Sequence, residues 1–312
     1  MAKVRLAYRP SSWQLPVISL IQERKLYREF GLDAEMNLAE KSEEAERLLI
    51  QGDIDFVIGN HIVPMADRVK GIPIIYMAQA TNWSVDRMVT LNPDINGISD
   101  LKGKRITYGS FDNSHPSLTK RLYISRAGLD LTKDAESIPI DGNDWEYVQS
   151  VLEKKTDAAL VSSPFDMRAR KMGLRVIDLP PIPMVCGMTV ATMSPFAKEN
   201  GHIVKRVVQT IATGIYHFKT DKKDAFRIMK ARLSNSKRLK LDSDDLIEHL
   251  YTDTVDYMEK KLYPTAEAIR NVYEAAMIIY PEVKGLNPLS MWDLHYTREL
   301  DEEGFFDKLY GS

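Results

Sequence analysis

Four apolar, strand-like runs separated by helix-length segments fill the first eighty residues, and they leave few choices of fold. "KVRLAY" alternates with period two and ends at Pro10. Leu15 to Phe30 carries helical spacing that Gly31 stops. "LDAEMNLA" alternates again, and Ser42 to Gln51 reads as a helix opened by "SEEA", with acids in its first turn and Gly52 past its end. "IDFVIG" is a short buried strand, a helix runs to Lys70, and "IPIIYMAQA" follows Gly71. This β-α-β-α-β-α-β order, with nearly continuous apolar strands, predicts a covered parallel sheet. Ligands of such sheets sit outside the carboxyl ends of the strands. The loops that matter are therefore 9–13, 59–61 and 80–83.

A second α/β rhythm begins near Val85. "VDRMVTL" is a strand, and "ISDLKGKRITYGS" is an exposed turn and another strand. A helix then runs to Gly128. "ESIPI", a helix from Asp144 to Lys154, the strand "DAALVSS", a helix from Pro164 to Met172 and "RVIDL" complete the unit. From Gly187, "GMTVATMS" reads as a strand returning to the first unit, and residues 202–283 read as almost wholly helical. The expected division is 1–84 with 190–312 as the first lobe and 85–189 as the second. A chain that leaves one lobe and returns crosses twice, which implies a hinge and an interlobe cleft.

The bulk numbers exclude several classes. The 312 residues suit two lobes. A net charge of −2 gives no footprint for nucleic acid. No apolar stretch approaches a membrane span. A single cysteine, Cys186, excludes an internal disulfide framework. The six histidines show no metal-ligand spacing, so no metal is expected. Neither a phosphate-loop pattern nor a G-x-S-x-G elbow occurs. Met1 to Tyr8 already reads as a strand with no signal core before it. The chain is then cytoplasmic as it stands, or periplasmic or otherwise extracytoplasmic with its export signal removed.

In order and spacing, five segments resemble the type II periplasmic-binding-protein fold. They are "LPVISLIQERKLYREFGLDAEM", "GDIDFVIGNHIVPMADRVKGIPI", "ISDLKGKRITYGS", "KKTDAALVSSPFDMRARKMG" and "TVATMSPFAKEN", covering roughly residues 3–200. The chain is most similar to the class that binds taurine, aliphatic sulfonates, nitrate and thiamine-pyrimidine precursors. The resemblance implies an α/β protein of two lobes, each a mixed, mainly parallel sheet flanked by helices, with a helical C-terminal region. It implies a solute-binding protein that closes its lobes over a small anionic or aromatic organic ligand for an ABC permease. Enzymes share this fold. In thiamine-pyrimidine synthases a lysine after the third strand carries pyridoxal phosphate, and Gly59 stands at that position here. Those enzymes also carry a cysteine-rich run where this chain has "MVCGMTV". Aromatic desulfinases place a nucleophilic cysteine in the first loop, where this chain has Ser12. No cofactor is therefore expected.

The candidate ligand-binding residues follow from the strand-end loops. Arg9 suits a bidentate carboxylate or sulfonate contact. Ser12 and Trp13 share its loop, Asn60 and His61 follow a buried strand, and Asn82 and Trp83 close another loop. The two tryptophans suit the aromatic walls of an organic ligand, or equally lobe-edge packing. Ser110, Phe111, Asn113, Ser114 and His115 lie where a strand meets a helix. Ser114 caps that helix, and the helix N-terminus can hold an anion. Ser162, Ser163 and Phe165 follow a further strand. The alternative function is a cytosolic lyase or hydrolase acting on a small aromatic or heterocyclic acid. Its catalytic candidates are His61, His115 and Cys186, since cysteine beside histidine makes an activated nucleophile.

Overall fold

The computed structural model describes residues 1–109, 115–131, 133–236, 238–239 and 241–311, and of residues 115–117 the backbone alone. Contacts divide the chain into two compact units. Unit 1 comprises residues 1–83, 183–233 and 251–312, and unit 2 comprises residues 84–182 and 234–250. The return crossing thus falls at 182/183 rather than 189/190. Residues 234–250, expected in the first lobe, belong with unit 2. Charge fixes them there: His249 Nε2 bonds both carboxylate oxygens of Asp166 at 2.9 and 2.7 Å. Arg168 also reaches Asp242 at 2.9 Å.

Unit 1 opens with β1 (Ala2–Tyr8), α1 (Gln14–Arg24), α2 (Leu26–Glu29), β2 (Leu32–Leu38), α3 (Ser42–Gln51), β3 (Phe56–Ile58), α4 (Val63–Val69) and β4 (Ile74–Gln79). The single helix expected over Leu15 to Phe30 is broken. Lys25 adopts φ 54°, and its N–H turns back to the carbonyls of Gln22 and Ile21, which ends one helix in a left-handed cap and starts another. The short β5 (Trp83–Ser84) leads into unit 2.

There follow β6 (Arg87–Thr90), β7 (Arg105–Thr107), α5 (His115–Arg126), β8 (Glu136–Ser137), α6 (Asp144–Leu152), β9 (Ala158–Val161), α7 (Phe165–Lys171) and β10 (Arg175–Asp178). They build a mixed sheet of order β10-β6-β9-β7-β8. In it β7 runs parallel to β8 and β9, and β6 runs antiparallel to β9 and β10. The entry of α6 is set by Asn143. Its side chain accepts the Trp145 N–H at 2.8 Å, and Glu146 returns to the Asn143 N–H at 2.9 Å, a reciprocal capping box.

The chain re-enters unit 1 through β11 (Ile182–Pro183) and β12 (Thr189–Met193). The unit 1 sheet has the order β2-β1-β3-β12-β4. The first three strands are parallel as the sequence predicts, but β12 inserts antiparallel between β3 and β4. The helical remainder is α8 (Ser194–Glu199), α9 (Gly201–Thr220), α10 (Lys222–Leu233), α11 (Asp244–Tyr257), α12 (Ala266–Ile279), α13 (His295–Glu302) and α14 (Phe305–Tyr310). The aromatic C-terminal segment packs back onto unit 1. Trp292 lies against Tyr76, ring centroids 4.9 Å apart, and the Thr297 hydroxyl donates to the Met77 carbonyl at 2.9 Å.

Candidate functional site

In unit 1 the loops after β1, β3 and β4 share one rim with the residues entering β12, because an antiparallel strand presents its amino end where parallel neighbours present their carboxyl ends. Two fully buried glutamines fasten this rim. Gln14 Nε2 donates to the carbonyls of Arg9 (2.7 Å) and Ile58 (3.1 Å), and its Oε1 accepts the Met188 N–H at 2.7 Å. Gln79 Nε2 donates to the carbonyls of Thr81, Cys186 (3.2 Å) and Gly187 (3.1 Å), and its Oε1 accepts from the Thr189 hydroxyl at 2.6 Å. A buried amide left unmatched costs about 1–3 kcal/mol, so these pairings resist rearrangement.

Gly59 belongs to the same frame. Its φ is +90°, and a Cβ there would sit 2.4 Å from Gln14 Oε1. A side chain at this position, such as the pyridoxal-bearing lysine that the resemblance puts here, would have to displace Gln14 from its buried hydrogen bonds.

The predicted side chains occupy this rim unequally. Trp13 is buried and stacks on Tyr257, with centroids 5.3 Å apart and planes 4° from parallel. Trp83 is half-buried, as is Ser12 in the turn before α1. Arg9 spends one donor on the Ala39 carbonyl at 2.7 Å. Asn82 is fully engaged: Nδ2 donates to the Tyr263 carbonyl (2.8 Å) and to Glu259 (3.3 Å), while Oδ1 accepts the Thr265 N–H (2.9 Å). It anchors the 259–265 segment. His61 is buried at 4% exposure, and Cys186 is half-exposed.

Asn60 is 3% exposed and leads to a residue that the sequence reading missed. Its Nδ2 donates to Glu46 Oε2 at 2.7 Å and to the Ser42 carbonyl at 3.2 Å. Glu46, on α3, is 2% exposed, and its Oε1 is buried with no partner. Burial, reinforced by Asp67, pushes its carboxyl up to about 8 against the opposing hydrogen bond from Asn60. A neutral acid is what an apolar site without a counter-cation selects. Tyr76 faces the same acid, and burial, then Glu46, raises its hydroxyl well above the ordinary value.

In unit 2 the strand-end residues meet a different device. The N–H and hydroxyl of Ser162 both donate to Asp144 Oδ2 at 2.6 Å. Asp144 Oδ1 takes Lys120 Nζ at 2.5 Å. Lys120 is 1% exposed and lies 4.9 Å over the Tyr147 ring. Burial pushes the nearby Asp86 carboxyl up to about 6, with Lys120 pulling against it. Ser163 is fully buried and its hydroxyl has no partner. Phe165 packs in the hydrophobic cluster of Val89, Val148, Ala159 and Leu174, so its side chain serves the core. Ser110, Phe111, Asn113 and Ser114 lie outside the described residues, as does the side chain of His115. Among the described residues no group of histidine, cysteine, aspartate and glutamate could hold a metal. No described helix is long and apolar enough to cross a membrane.

The signal for the missed residues is faint. Gln79 interrupts an apolar strand, Glu46 falls on the buried phase of α3 beside Ala45 and Leu49, and Lys120 sits among apolar residues of α5.

A sequence model of the family described as NMT1/THI5 like matches residues 18–225. No curated protein sequence matches significantly. The chain is similar in structure to the periplasmic aliphatic sulphonate-binding protein SsuA from Escherichia coli. Identity is 16% over 93% of this chain and 91% of that one, with a TM-score of 0.68. The periplasmic nitrate-binding protein NrtA from Synechocystis PCC 6803 is similar at 11% identity over 100% of this chain and 89% of that one, TM-score 0.62. A Candida albicans gene product described as having the generic periplasmic-binding-protein fold is similar at 16% identity, over 96% and 95%, TM-score 0.62. At these identities the likeness shows the fold, the periplasmic-binding-protein fold expected from the sequence.

Proposed function

Because the chain belongs to the NMT1/THI5-like family, whose model spans residues 18–225, we propose that it is a solute-binding protein serving an ABC importer. Its ligand is a small organic molecule with a planar, aromatic part. The observation that carries this reading is the unit 1 rim. Gln14 and Gln79 fasten the loops that carry Trp13 and Asn60 at the strand ends, and Trp13 stacks on Tyr257 at the end of α11. Pre-formed sites for small molecules combine aromatic surface with a few fixed polar groups. Further support comes from fold neighbours whose names give them as sulphonate- and nitrate-binding periplasmic proteins. On this reading the partner is a permease, the location is extracytoplasmic, and the two lobes expected from the sequence close by a ligand-driven population shift.

A thermal-shift panel of sulfonates, carboxylates, pyrimidines and amides tests the reading. A true ligand at a hundred times its Kd adds about 2.7 kcal/mol of stability and raises Tm. Trp13→Ala should weaken that shift. A panel with no hit, and no small molecule carried through purification, would sink the proposal. Mass spectrometry of the recovered solute also separates the two functional classes. A binding protein returns it unchanged, whereas an enzyme returns a product whose formation depends on His61 or Cys186.

A further inference from the structure

The aromatic pair on the unit 1 rim has a support that comes from outside the rim. Tyr257 is the last residue of α11, and a helix leaves its final carbonyls without partners of its own. A basic side chain in the last turn commonly takes them and complements the helix dipole. α11 has no basic residue there, and its last turn carries Asp256 instead. The cation comes from another helix. Lys219, in the last turn of α9, donates from Nζ to the Val255 carbonyl and to the Met258 carbonyl, the latter at 2.7 Å. It is half-buried, and burial lowers its pKa while Glu259 pulls the other way. Lys219, the end of α11 and Trp13 all belong to unit 1.

Two carbonyls three residues apart, one on each side of Tyr257, fix where α11 ends and how its last turn is rotated. The Tyr257 ring projects from that turn and lies over Trp13, 5.3 Å between centroids and 4° from parallel. The chain beyond does not need Lys219. The Glu259 N–H donates to the Ala80 carbonyl at 2.7 Å, and the Gln79 N–H donates to the Leu262 carbonyl at 3.1 Å. Asn82 holds Tyr263 and Thr265. These bonds keep residues 259–265 on the rim without the lysine. What depends on Lys219 is the last turn of α11 and the ring it carries. Trp13 is buried and Tyr257 half-buried, so Tyr257 is the member of the pair that offers surface to a ligand.

We infer that Lys219 is a positioning residue for the ligand site: it sets the Trp13–Tyr257 wall against which the planar part of the ligand packs. This rests on the solute-binding reading and adds to it a residue that acts through the main chain of α11 rather than by contact with the ligand.

The test separates position from stability. Near-UV circular dichroism reports fixed aromatic packing, and the wild-type spectrum minus that of Trp13→Phe isolates the part that depends on Trp13. Lys219→Met keeps an apolar stem and removes the donors. In that background, with the fold verified by far-UV circular dichroism, the same difference signal should largely disappear. Lys219→Arg, which keeps charge and donors, should retain it. If Lys219→Met does not fold, Lys219→Gln takes its place. A merely structural lysine would lower Tm and leave the difference signal intact. Whichever of benzenesulfonate, benzoate, benzamide and cytosine binds the wild-type chain should bind Lys219→Met about tenfold more weakly by calorimetry, the worth of one aromatic contact. Lys219→Arg should bind it nearly as well as the wild type. An undiminished difference signal, or unchanged affinity where the signal is lost, overturns the inference while solute binding stands. A lost signal with no solute bound, among these probes or across the wider panel, sinks the solute-binding reading instead and takes the ligand-site role of Lys219 with it.

Discussion

Units 1 and 2 fix a strand-end polar residue by opposite electrostatic means. Unit 1 holds Asn60 with a buried carboxyl, Glu46, that has no cation and keeps its proton to about pH 8. Unit 2 holds Ser162 with a buried carboxylate, Asp144, matched by a still more deeply buried Lys120. One device avoids the cost of burying charge by remaining neutral. The other offsets that cost with a counter-charge and with hydrogen bonds that fill both carboxylate oxygens. Equivalent geometry therefore does not imply equivalent response to pH or mutation.

The sharpest break in the comparison is Lys120→Met. It strands Asp144 next to the already buried Asp86 and should cost about 3–5 kcal/mol in urea unfolding. Adding Asp144→Asn should restore part of that loss, because the two substitutions share one interaction. Glu46→Gln in unit 1 should show nothing comparable, since the acid it replaces is neutral. Next in size is Gly59→Ala, which meets Gln14 and a left-handed backbone together; a loss of about 2 kcal/mol is expected, with ligand affinity lost through Gln14.

The pH arm follows. The Glu46 carboxyl is raised from 4.5 to about 8 in the folded state. Its contribution is fully present below pH 4.5 and is lost as pH rises through about 8. The window of Asp86 runs from 3.8 to about 6. Between pH 6.5 and 8 Glu46 is thus the one of the two still titrating. Stability there should fall by about 1 kcal/mol per pH unit, and Glu46→Gln should flatten that slope. Asp166 has the opposite sign. Burial would raise it, but the His249 hydrogen bonds and Arg87 outweigh burial and hold it below the ordinary range. Its contribution, present above pH 3.8, is lost in acid. The smallest expected effect is Asn143→Ala, about 1 kcal/mol for a lost cap, with Asp144 loosened at the start of α6.

Much of the frame was legible because period-two and helical spacings are local. β1 to β4, the strands of unit 2 and the helical tail all announce themselves that way. The position of β12 was not legible: nothing in "TVATM" says that it will slot antiparallel between β3 and β4. Nor could charge pattern alone assign 234–250, whose partners Asp166 and Arg168 lie far back along the chain. The strand-end positions of Asn60, Trp13 and Ser162 could be read from the α/β rhythm. How their polar groups are held could not, since that depends on Glu46, Ser42 and Asp144. Polar residues such as Gln14, Glu46 and Lys120 read as surface by composition, and burial reverses that only once the sheet exists.

The insertion of β12 also sets an order of events in time. A ribosome delivers the chain from its amino end, so residues 1–83 emerge with a gap between β3 and β4 that residues 189–193 must fill. All five strands of the unit 2 sheet, from Arg87 to Asp178, are delivered before that filler. The region encoded second can therefore complete its sheet first. The first-made half waits, with the edges of β3 and β4 unpaired, for a strand more than a hundred residues downstream. Long-range pairing of this kind slows folding, and the waiting edges are where a nascent chain of this design would lean on a chaperone.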